Sequence, residues 1–192
     1  MDTQAKVQSQ ALSEEIERLV RERVDAYLRE KEEEKAQRTP RLALIVTKGT
    51  LDWAYPPLIL ATTAAALGWD VGMFFTFYGL NIIHKKKGKH LKVAPLANPA
   101  MPMPVPNIIG AIPGMTAMGT MVMKSMFKSH HVSTIDELIE MAVESGVKLW
   151  PCGMTMDVFG YKPDDFIEGI QEICGATHFI VYAKDADVSL FT

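Results

Sequence analysis

The feature that most constrains the fold is a pair of short, unbroken apolar runs separated by a helix-forming segment. Residues 42–47 (Leu-Ala-Leu-Ile-Val-Thr) and 71–76 (Val-Gly-Met-Phe-Phe-Thr) have the length and composition of strands buried on both faces of a parallel sheet. Residues 58–67 are rich in Ala and Leu and precede Gly68, which predicts a helix with prolines 56–57 in its first turn. Strand, helix and strand in this order predict a parallel crossover.

The second half of the chain repeats this pattern. Residues 133–137 (Ser-Thr-Ile-Asp-Glu) have the form of a capping box, which predicts a helix that stops at Gly146 and is followed by a strand at 147–150. Another helix is predicted from Pro163, and a last strand at 178–182. Four apolar residues share one face of that helix: Phe166, Ile167, Ile170 and Ile173. The predicted fold is a three-layer α/β sandwich around a parallel sheet.

A charged amphipathic helix precedes this domain, over residues 10–37. Its apolar residues recur at three- and four-residue steps: Leu12, Ile16, Leu19, Val20, Val24, Tyr27 and Leu28. The far end, residues 29–35, is almost wholly charged, so we expect the helix to pair with a partner helix and then become a solvated arm. Pro40 ends this segment, which predicts a helix and linker at 1–40 and the α/β domain at 41–192.

A Met- and Pro-rich insertion is predicted at about 92–130. No charged residue occurs between Lys92 and Lys124, and the uncharged stretch 93–123 is long enough to span a membrane. Its many prolines oppose a continuous helix, however, which favours a hinged segment whose Met-rich helix, 115–127, lies over an apolar surface of this subunit or a neighbour. A lid, an interface, a plain buried helix and a membrane contact all remain open.

The composition indicates a globular protein of the cytoplasm. The chain has 48% hydrophobic residues and a net charge of -3, so nothing suggests a nucleic-acid partner. The polar first ten residues lack the basic flank and apolar stretch of a secretory signal. With only two cysteines, no disulfide framework is predicted.

Common catalytic motifs are missing from the sequence. No glycine-rich nucleotide-binding motif follows the first strand, and the five histidines do not form a metal-binding pattern. His130 and His131 are interpreted as solvated. The basic run 85–89 (Lys-Lys-Lys-Gly-Lys) is interpreted as a soluble loop that could steer an acidic partner protein. Neither a metal nor an organic cofactor is predicted.

The two cysteines have different predicted settings. Cys174 lies on the apolar face of the helix predicted from Pro163, where a thiol acts as a small hydrophobe. Cys152 follows a buried strand and precedes residues 153–160, which can begin a short helix. The ends of such strands open onto the ligand crevice of α/β sheets, and the amides of a helix start favour the thiolate over the thiol. Cys152 is therefore the candidate reactive group, with an inert buried cysteine as the alternative.

Four segments resemble the DsrE/DsrF/DsrH-like proteins, in particular a subgroup with a long Met- and Pro-rich insertion. They are 73–80 (Met-Phe-Phe-Thr-Phe-Tyr-Gly-Leu), 98–104 (Asn-Pro-Ala-Met-Pro-Met-Pro), 113–118 (Pro-Gly-Met-Thr-Ala-Met) and 152–156 (Cys-Gly-Met-Thr-Met). The resemblance covers about residue 41 to the C-terminus. It implies a flavodoxin-like or Rossmann-like α/β core, a homo- or hetero-oligomer, and a cysteine that carries sulfane sulfur as a persulfide between proteins.

In that family the sulfur-carrying cysteine matches Cys152. The resemblance therefore implies a sulfur relay, a possible sulfurtransferase, in which Gly153 and Met154 at the helix start and the Thr155 hydroxyl hold the anionic sulfur. A rhodanese-type donor and a small sulfur-carrier protein are the implied partners. Two alternatives stay open: a non-catalytic oligomeric scaffold or binding module, and a thiol redox sensor.

Overall fold

The first helix, α1 (Asp2–Gln37), forms a unit of its own in the computed structural model, which describes residues 2–94 and 114–192. Its apolar stripe is exposed: Ile16, Leu19, Val20, Val24, Tyr27 and Leu28. Ion pairs such as Arg18 with Glu15 and Lys31 with Glu34 lie one turn apart along the same helix. Such ion pairs stabilise an exposed helix, and an exposed apolar stripe is typical of a helix that packs against a partner.

The second unit, residues 40–192, is built on a four-stranded parallel sheet. Its strands are β1 (Arg41–Val46), β2 (Asp70–Phe75), β3 (Lys148–Pro151) and β4 (Val188–Phe191), in the order β3-β2-β1-β4. Leu42 lies opposite Val71 on one side and Val188 on the other. The first three strands are largely buried, as unbroken apolar runs in a parallel sheet must be, whereas all four residues of β4 are exposed.

Helices cover both faces of the sheet. The helices are α2 (Leu51–Ala66), α3 (Met115–Ser129), α4 (Ile135–Glu144), α5 (Gly153–Phe159) and α6 (Ala176–Lys184), and 3-10 turns occupy Phe77–Asn81, Gly88–His90 and Pro163–Asp165. The larger core joins α2 and α4 to one face of the sheet, and Phe179 of α6 packs with Ala43 and Phe74 on the other face. The predicted three-layer α/β fold is therefore confirmed.

An acidic residue ties the amino ends of three strands together. Asp70, the first residue of β2, accepts a hydrogen bond from the Arg41 guanidinium at 3.0 Å and pairs with the Lys148 ammonium. Burial raises the pKa of Asp70, but the hydrogen bond and charge of Lys148 and the hydrogen bonds of Arg41 and Tyr182 outweigh that effect and hold the pKa below its ordinary value. The carboxyl ends of these strands therefore lie at the opposite edge of the sheet from this ionic network.

Helix α2 begins earlier than predicted. The Leu51 amide donates to the Lys92 carbonyl and the Ala54 amide donates to the Thr50 carbonyl, so the first turn forms well before the prolines. Pro56 and Pro57 consequently lie inside the helix, where neither can donate to the carbonyl four residues back. The two helix stops were predicted correctly, because Gly68 and Gly146 have φ angles of 82° and 76°. The capping box of Thr134 and Glu137 that opens α4 is also confirmed.

The predictions for residues 163–182 were wrong. Only a 3-10 turn forms at Pro163–Asp165, the chain then runs irregularly to residue 175, and the predicted strand at 178–182 lies within α6. Gly169 shows the physical reason. Its φ of 91° is left-handed, and a Cβ there would lie 2.6 Å from a Val143 methyl group. A right-handed helix cannot continue through this left-handed residue, and only a glycine leaves room for the close approach to α4.

The Met-rich helix α3 contacts its own domain along one side. The Phe127 ring meets Tyr55 edge-on with a centroid separation of 4.4 Å, and Met123 packs against the larger core. Four large apolar side chains remain exposed: Met118, Met121, Val122 and Met126. No helix in the described parts of the chain is both long enough and apolar enough to cross a membrane. The rest of the predicted insertion, 95–113, lies outside the described residues.

Candidate active site at Cys152

Cys152 joins β3 to α5. It is the residue directly after the strand and the N-cap of the helix, so the predicted helix start at Gly153 is confirmed. Its amide donates to the Phe75 carbonyl at 2.9 Å, and its carbonyl accepts from the Met156 amide at 3.0 Å. The residue is only 4% exposed. Its backbone is therefore fixed on both sides, and the residue lies at the carboxyl end of β3, the first strand in the order β3-β2-β1-β4.

The second cysteine lies beside the first. The Cys174 amide donates to the Pro151 carbonyl at 3.1 Å, and the Gly153 amide donates to the Cys174 carbonyl at 3.0 Å, which makes Cys152 and Cys174 partners in a parallel bridge. Both are free, buried thiols in one apolar cluster with Ala43, Phe74, Trp150 and Phe179. The prediction that Cys174 lies on a helix is wrong. It belongs to an extended segment that sequence periodicity did not reveal.

The segment that carries Cys174 covers the outer edge of β3. The Gln171 side chain accepts a hydrogen bond from the Leu149 amide at 2.7 Å and donates to the Val147 carbonyl at 3.4 Å, in the manner of a neighbouring strand. Ile173 follows, and its methyl group would lie 3.2 Å from a Cβ placed on Gly153. Glycine at 153 thus lets this segment approach the start of α5 closely.

Burial makes Cys174 a weakly acidic thiol. Burial, the nearby Glu172 carboxylate and the Cys152 sulfur together raise the pKa of Cys174 to about 11. Glu172 itself lies 3.0 Å from Nε2 of His178, on α6. Cys174 is consequently a neutral thiol at neutral pH.

Thr155 connects α5 to the end of β2. Its hydroxyl is buried, lies 3.0 Å from the Thr76 hydroxyl and accepts from the Phe77 amide at 3.4 Å. A hydroxyl has one donor and two acceptor sites, so Thr155 retains a donor if Thr76 supplies the proton of their shared contact. The role predicted for it, a donor to a bound sulfur, stays a prediction.

Exposed apolar side chains surround the start of α5, and we call them the apolar rim: Phe77, Tyr78, Met154, Val158 and Ile173. Tyr78 stacks on Phe159 of α5 with a centroid separation of 5.6 Å. Phe77 is 57% exposed and has a φ of 46°, a left-handed conformation that is strained for an aromatic residue. An exposed ring held in strained backbone is a common sign of a binding surface.

The basic loop, residues 85–89, lies next to this rim. Nδ1 of the buried His84 accepts from the Lys86 amide at 3.1 Å, and burial foremost lowers the pKa of His84. The Lys87 ammonium contacts the Tyr161 hydroxyl, and the Tyr161 ring lies 5.6 Å from that of Phe159. A neutral histidine and a tyrosine thus fix the basic loop beside α5. The sequence had indicated only a soluble basic loop at these residues.

A cavity of about 540 Å³ lies elsewhere in the domain. It is lined by Gly49, Thr50, Asn81, Lys86, Lys87, His90, Leu91, Lys92, Val93 and Thr116. These residues do not include Cys152. In the described ranges 2–94 and 114–192, no three His, Cys, Asp or Glu side chains are placed to hold a metal ion. His130 and His131 are exposed, which fits their interpretation as solvated.

The fold and the site together define a parallel α/β protein with a thiol at the junction of a strand and a helix. A family model of the DsrE/DsrF/DrsH-like family matches residues 38–191. The chain belongs to this family, as the four resembling segments predicted. The predicted subgroup with a Met- and Pro-rich insertion stays a prediction.

Two curated relatives match this chain over nearly their whole lengths. Sulfur carrier protein DsrE2 of Allochromatium vinosum is 48% identical over 157 residues, which are 79% of this chain and 97% of that protein. The uncharacterized protein YrkE of Bacillus subtilis is 33% identical over 165 residues, which are 81% of this chain and 98% of that protein.

Two solved structures show a weaker likeness. The protein of unknown function MTH1491 from Methanobacterium thermoautotrophicum has a TM-score of 0.46 at 11% identity, and covers 80% of this chain and 99% of its own. The YchN protein from E. coli has a TM-score of 0.48 at 12% identity, and the match covers 81% of this chain and 100% of the YchN chain.

Proposed function

We propose that this protein is a sulfur carrier that accepts sulfane sulfur as a persulfide on Cys152 and passes it to an acceptor thiol. The observation that carries this proposal is the position of Cys152, at the carboxyl end of β3 and the N-cap of α5. Membership of the family and 48% identity to a protein named as a sulfur carrier support the same function.

The transfer consists of two thiol exchange steps. The Cys152 thiolate attacks the outer sulfur of a donor persulfide, a new S–S bond forms, and the donor leaves as its own thiolate. An acceptor thiolate then attacks the outer sulfur of the Cys152 persulfide, and Cys152 returns to the thiolate. Each step moves one neutral sulfur atom between two thiolates, so it requires neither a metal nor an organic cofactor.

The start of α5 is proposed to hold the outer sulfur. Amides in the first turn of a helix lack intrahelical acceptors, and they favour an anion such as a persulfide. The Gly153 amide already donates to the Cys174 carbonyl, which leaves the following residues Met154 and Thr155 to serve this purpose. Gly153 contributes instead by the absence of a side chain, because a Cβ there would crowd Ile173.

The apolar rim and the basic loop are proposed to bind the protein partners. Exposed apolar residues flanked by lysines fit a surface with an apolar centre and acidic residues around it. We propose that a rhodanese-type donor and a small sulfur-carrier acceptor dock there in turn, with the reacting cysteine of each partner directed at Cys152.

A second copy of the chain is proposed to cover the edge at β4. Exposed apolar residues lie on α6 and along β4: Ile180, Val181, Val188, Leu190 and Phe191. An exposed apolar edge strand is a template for pairing with another chain. Light scattering on wild type and Phe191→Asp tests this homo-oligomer. A monomeric wild type would contradict it.

We further propose that the protein acts in the cytoplasm, where a reducing environment keeps both cysteines as thiols. The alternative is association with a membrane through residues 93–123. Fractionation of cells decides between them, since a protein released only by detergent would contradict the cytoplasmic location.

Mass spectrometry of the intact chain tests the carrier function. After brief exposure to inorganic polysulfide, wild type and Cys174→Ser should each gain the mass of one sulfur atom, which a reductant removes. Cys152→Ser should gain none. Wild type that stays unmodified, although Cys152 reacts with a thiol reagent, would contradict the proposal and favour the scaffold alternative.

A thiol redox sensor is the second candidate, because the two thiols lie in one bridge. Peroxide would then oxidise the pair to a disulfide while polysulfide leaves no sulfur on Cys152. The same mass measurements separate the two functions.

A further inference from the structure

We propose that Cys174 is a second reacting residue, which attacks the Cys152 persulfide, forms a Cys152–Cys174 disulfide and releases the sulfur as hydrosulfide. This inference rests on the proposed carrier function. It adds a reaction that a single-cysteine carrier cannot perform, and it gives Cys174 a chemical role in place of the packing role that the sequence indicated.

The backbone already holds the two cysteines at a distance suited to a disulfide. Neighbouring strands lie about 4.8 Å apart, and the Cα atoms of disulfide-bonded cysteines are about 4.4–6.8 Å apart. The hydrogen bonds from Cys174 to Pro151 and from Gly153 to Cys174 fix the register with the two cysteines opposite each other. Partners in a bridge point to the same face, and both thiols lie in one apolar cluster. The bond therefore needs side-chain rotation and no change of strand pairing.

The reaction balances without an added oxidant. Cys174 loses its proton, and the resulting thiolate attacks the inner sulfur of the Cys152 persulfide. An S–S bond forms between the cysteines, the S–S bond of the persulfide breaks, and its electron pair leaves with the outer sulfur as HS⁻. The sulfane sulfur gains two electrons and the cysteine pair loses two. A dithiol reductant then returns both cysteines to thiols.

The surroundings of Cys174 make this discharge slow compared with transfer to a partner. Burial foremost raises the pKa of Cys174 to about 11, so few molecules carry the attacking thiolate at neutral pH. The ionisable groups around it are Glu172 on its own segment, Cys152 across the bridge and His178 on α6, which contacts Glu172. A persulfide on Cys152 therefore lasts long enough to be transferred when an acceptor is available, and is released as hydrosulfide when none arrives.

The experiment follows a loaded protein through time. Full-length wild type, Cys174→Ser and Cys174→Ala are loaded anaerobically with inorganic polysulfide, freed of excess reagent and sampled by intact-mass spectrometry with a hydrosulfide assay. Wild type should lose its added sulfur, become two hydrogens lighter than the reduced chain and release one hydrosulfide per loaded molecule. Peptide mapping should then show Cys152 joined to Cys174. Both variants should keep the persulfide several-fold longer.

The outcomes separate this inference from the carrier function. If wild type and both variants load equally and lose sulfur at the same rate without a disulfide, the role of Cys174 is wrong and the carrier function stands. If wild type does not load, the carrier function fails. Thermal unfolding confirms that the variants are folded, and agreement between the serine and alanine variants rules out an effect of the new side chain.

Discussion

The hydroxyls of Thr155 and Thr76 lie 3.0 Å apart, and they join the first turn of α5 to the residue after β2. The same Thr155 oxygen accepts from the Phe77 amide. One buried side chain therefore positions two elements that border Cys152, the helix that follows it and the turn that carries the strained Phe77.

Thr155→Val should destabilise the domain and slow sulfur transfer. The substitution keeps the shape of the side chain but leaves the Phe77 amide and the Thr76 hydroxyl without this partner, which costs about 1–3 kcal/mol in the free energy of unfolding. Urea unfolding measures the loss, and single-turnover transfer from the loaded protein measures the rate. Thr155→Ser keeps the hydroxyl and serves as the control. Equal stability of the valine variant and wild type would contradict this role.

Phe77→Asn should stabilise the domain and weaken its binding to partners. A left-handed residue with a side chain costs about 1–2 kcal/mol, and asparagine tolerates that conformation better than phenylalanine. The exposed ring contributes little to the core, so the thermal midpoint should rise while the transfer rate to an acceptor protein falls severalfold. Phe77→Gly should lower the transfer rate by a similar factor. If the asparagine variant transfers sulfur at the wild-type rate, the ring has no part in docking.

Alkaline pH should destabilise wild type more than Cys174→Ser. The pKa of Cys174 is about 11 in the folded chain against an ordinary value of 9.0, so the folded state retains a proton that the unfolded state loses. The stabilisation that follows is complete below pH 9 and is lost as the pH rises from 9 to about 11. Urea unfolding at several pH values measures it. Parallel curves for wild type and the serine variant would contradict the raised pKa.

Asp70→Asn should destabilise the domain at neutral pH and have less effect in acid. The hydrogen bonds of Asp70 with Arg41 and Lys148 involve charged groups, each worth about 1.5–3 kcal/mol before the cost of burial is subtracted. Because the pKa of Asp70 is lowered on folding, this contribution is present above the ordinary value of 3.8 and is lost as the pH falls through the folded value. Glu137→Ala, on α4, removes the side chain of a helix cap instead and is the comparison for a change elsewhere.

The sequence predicts the first three strands and the position of Cys152 well, because both are local patterns. Unbroken apolar runs define β1, β2 and β3, and a glycine after Cys152 marks the start of α5. Residues 163–182 are different. Their conformation depends on a close approach of Gly169 to Val143 and on the Gln171 side chain, which acts as a strand partner for β3. Neither contact has a periodic signature, so the pairing of Cys174 with Cys152 was not predictable.

The pairing of β1 with β4 sets the order in which the sheet can be completed. Arg41 and Asp187, at the start of that ladder, are 146 residues apart, and the strands between them belong to the opposite side of β1. During synthesis the first strand therefore keeps one unpaired, apolar edge until the final strand emerges from the ribosome. Contacts of such long range form slowly, so we expect the nascent chain to be prone to aggregation until this strand has paired.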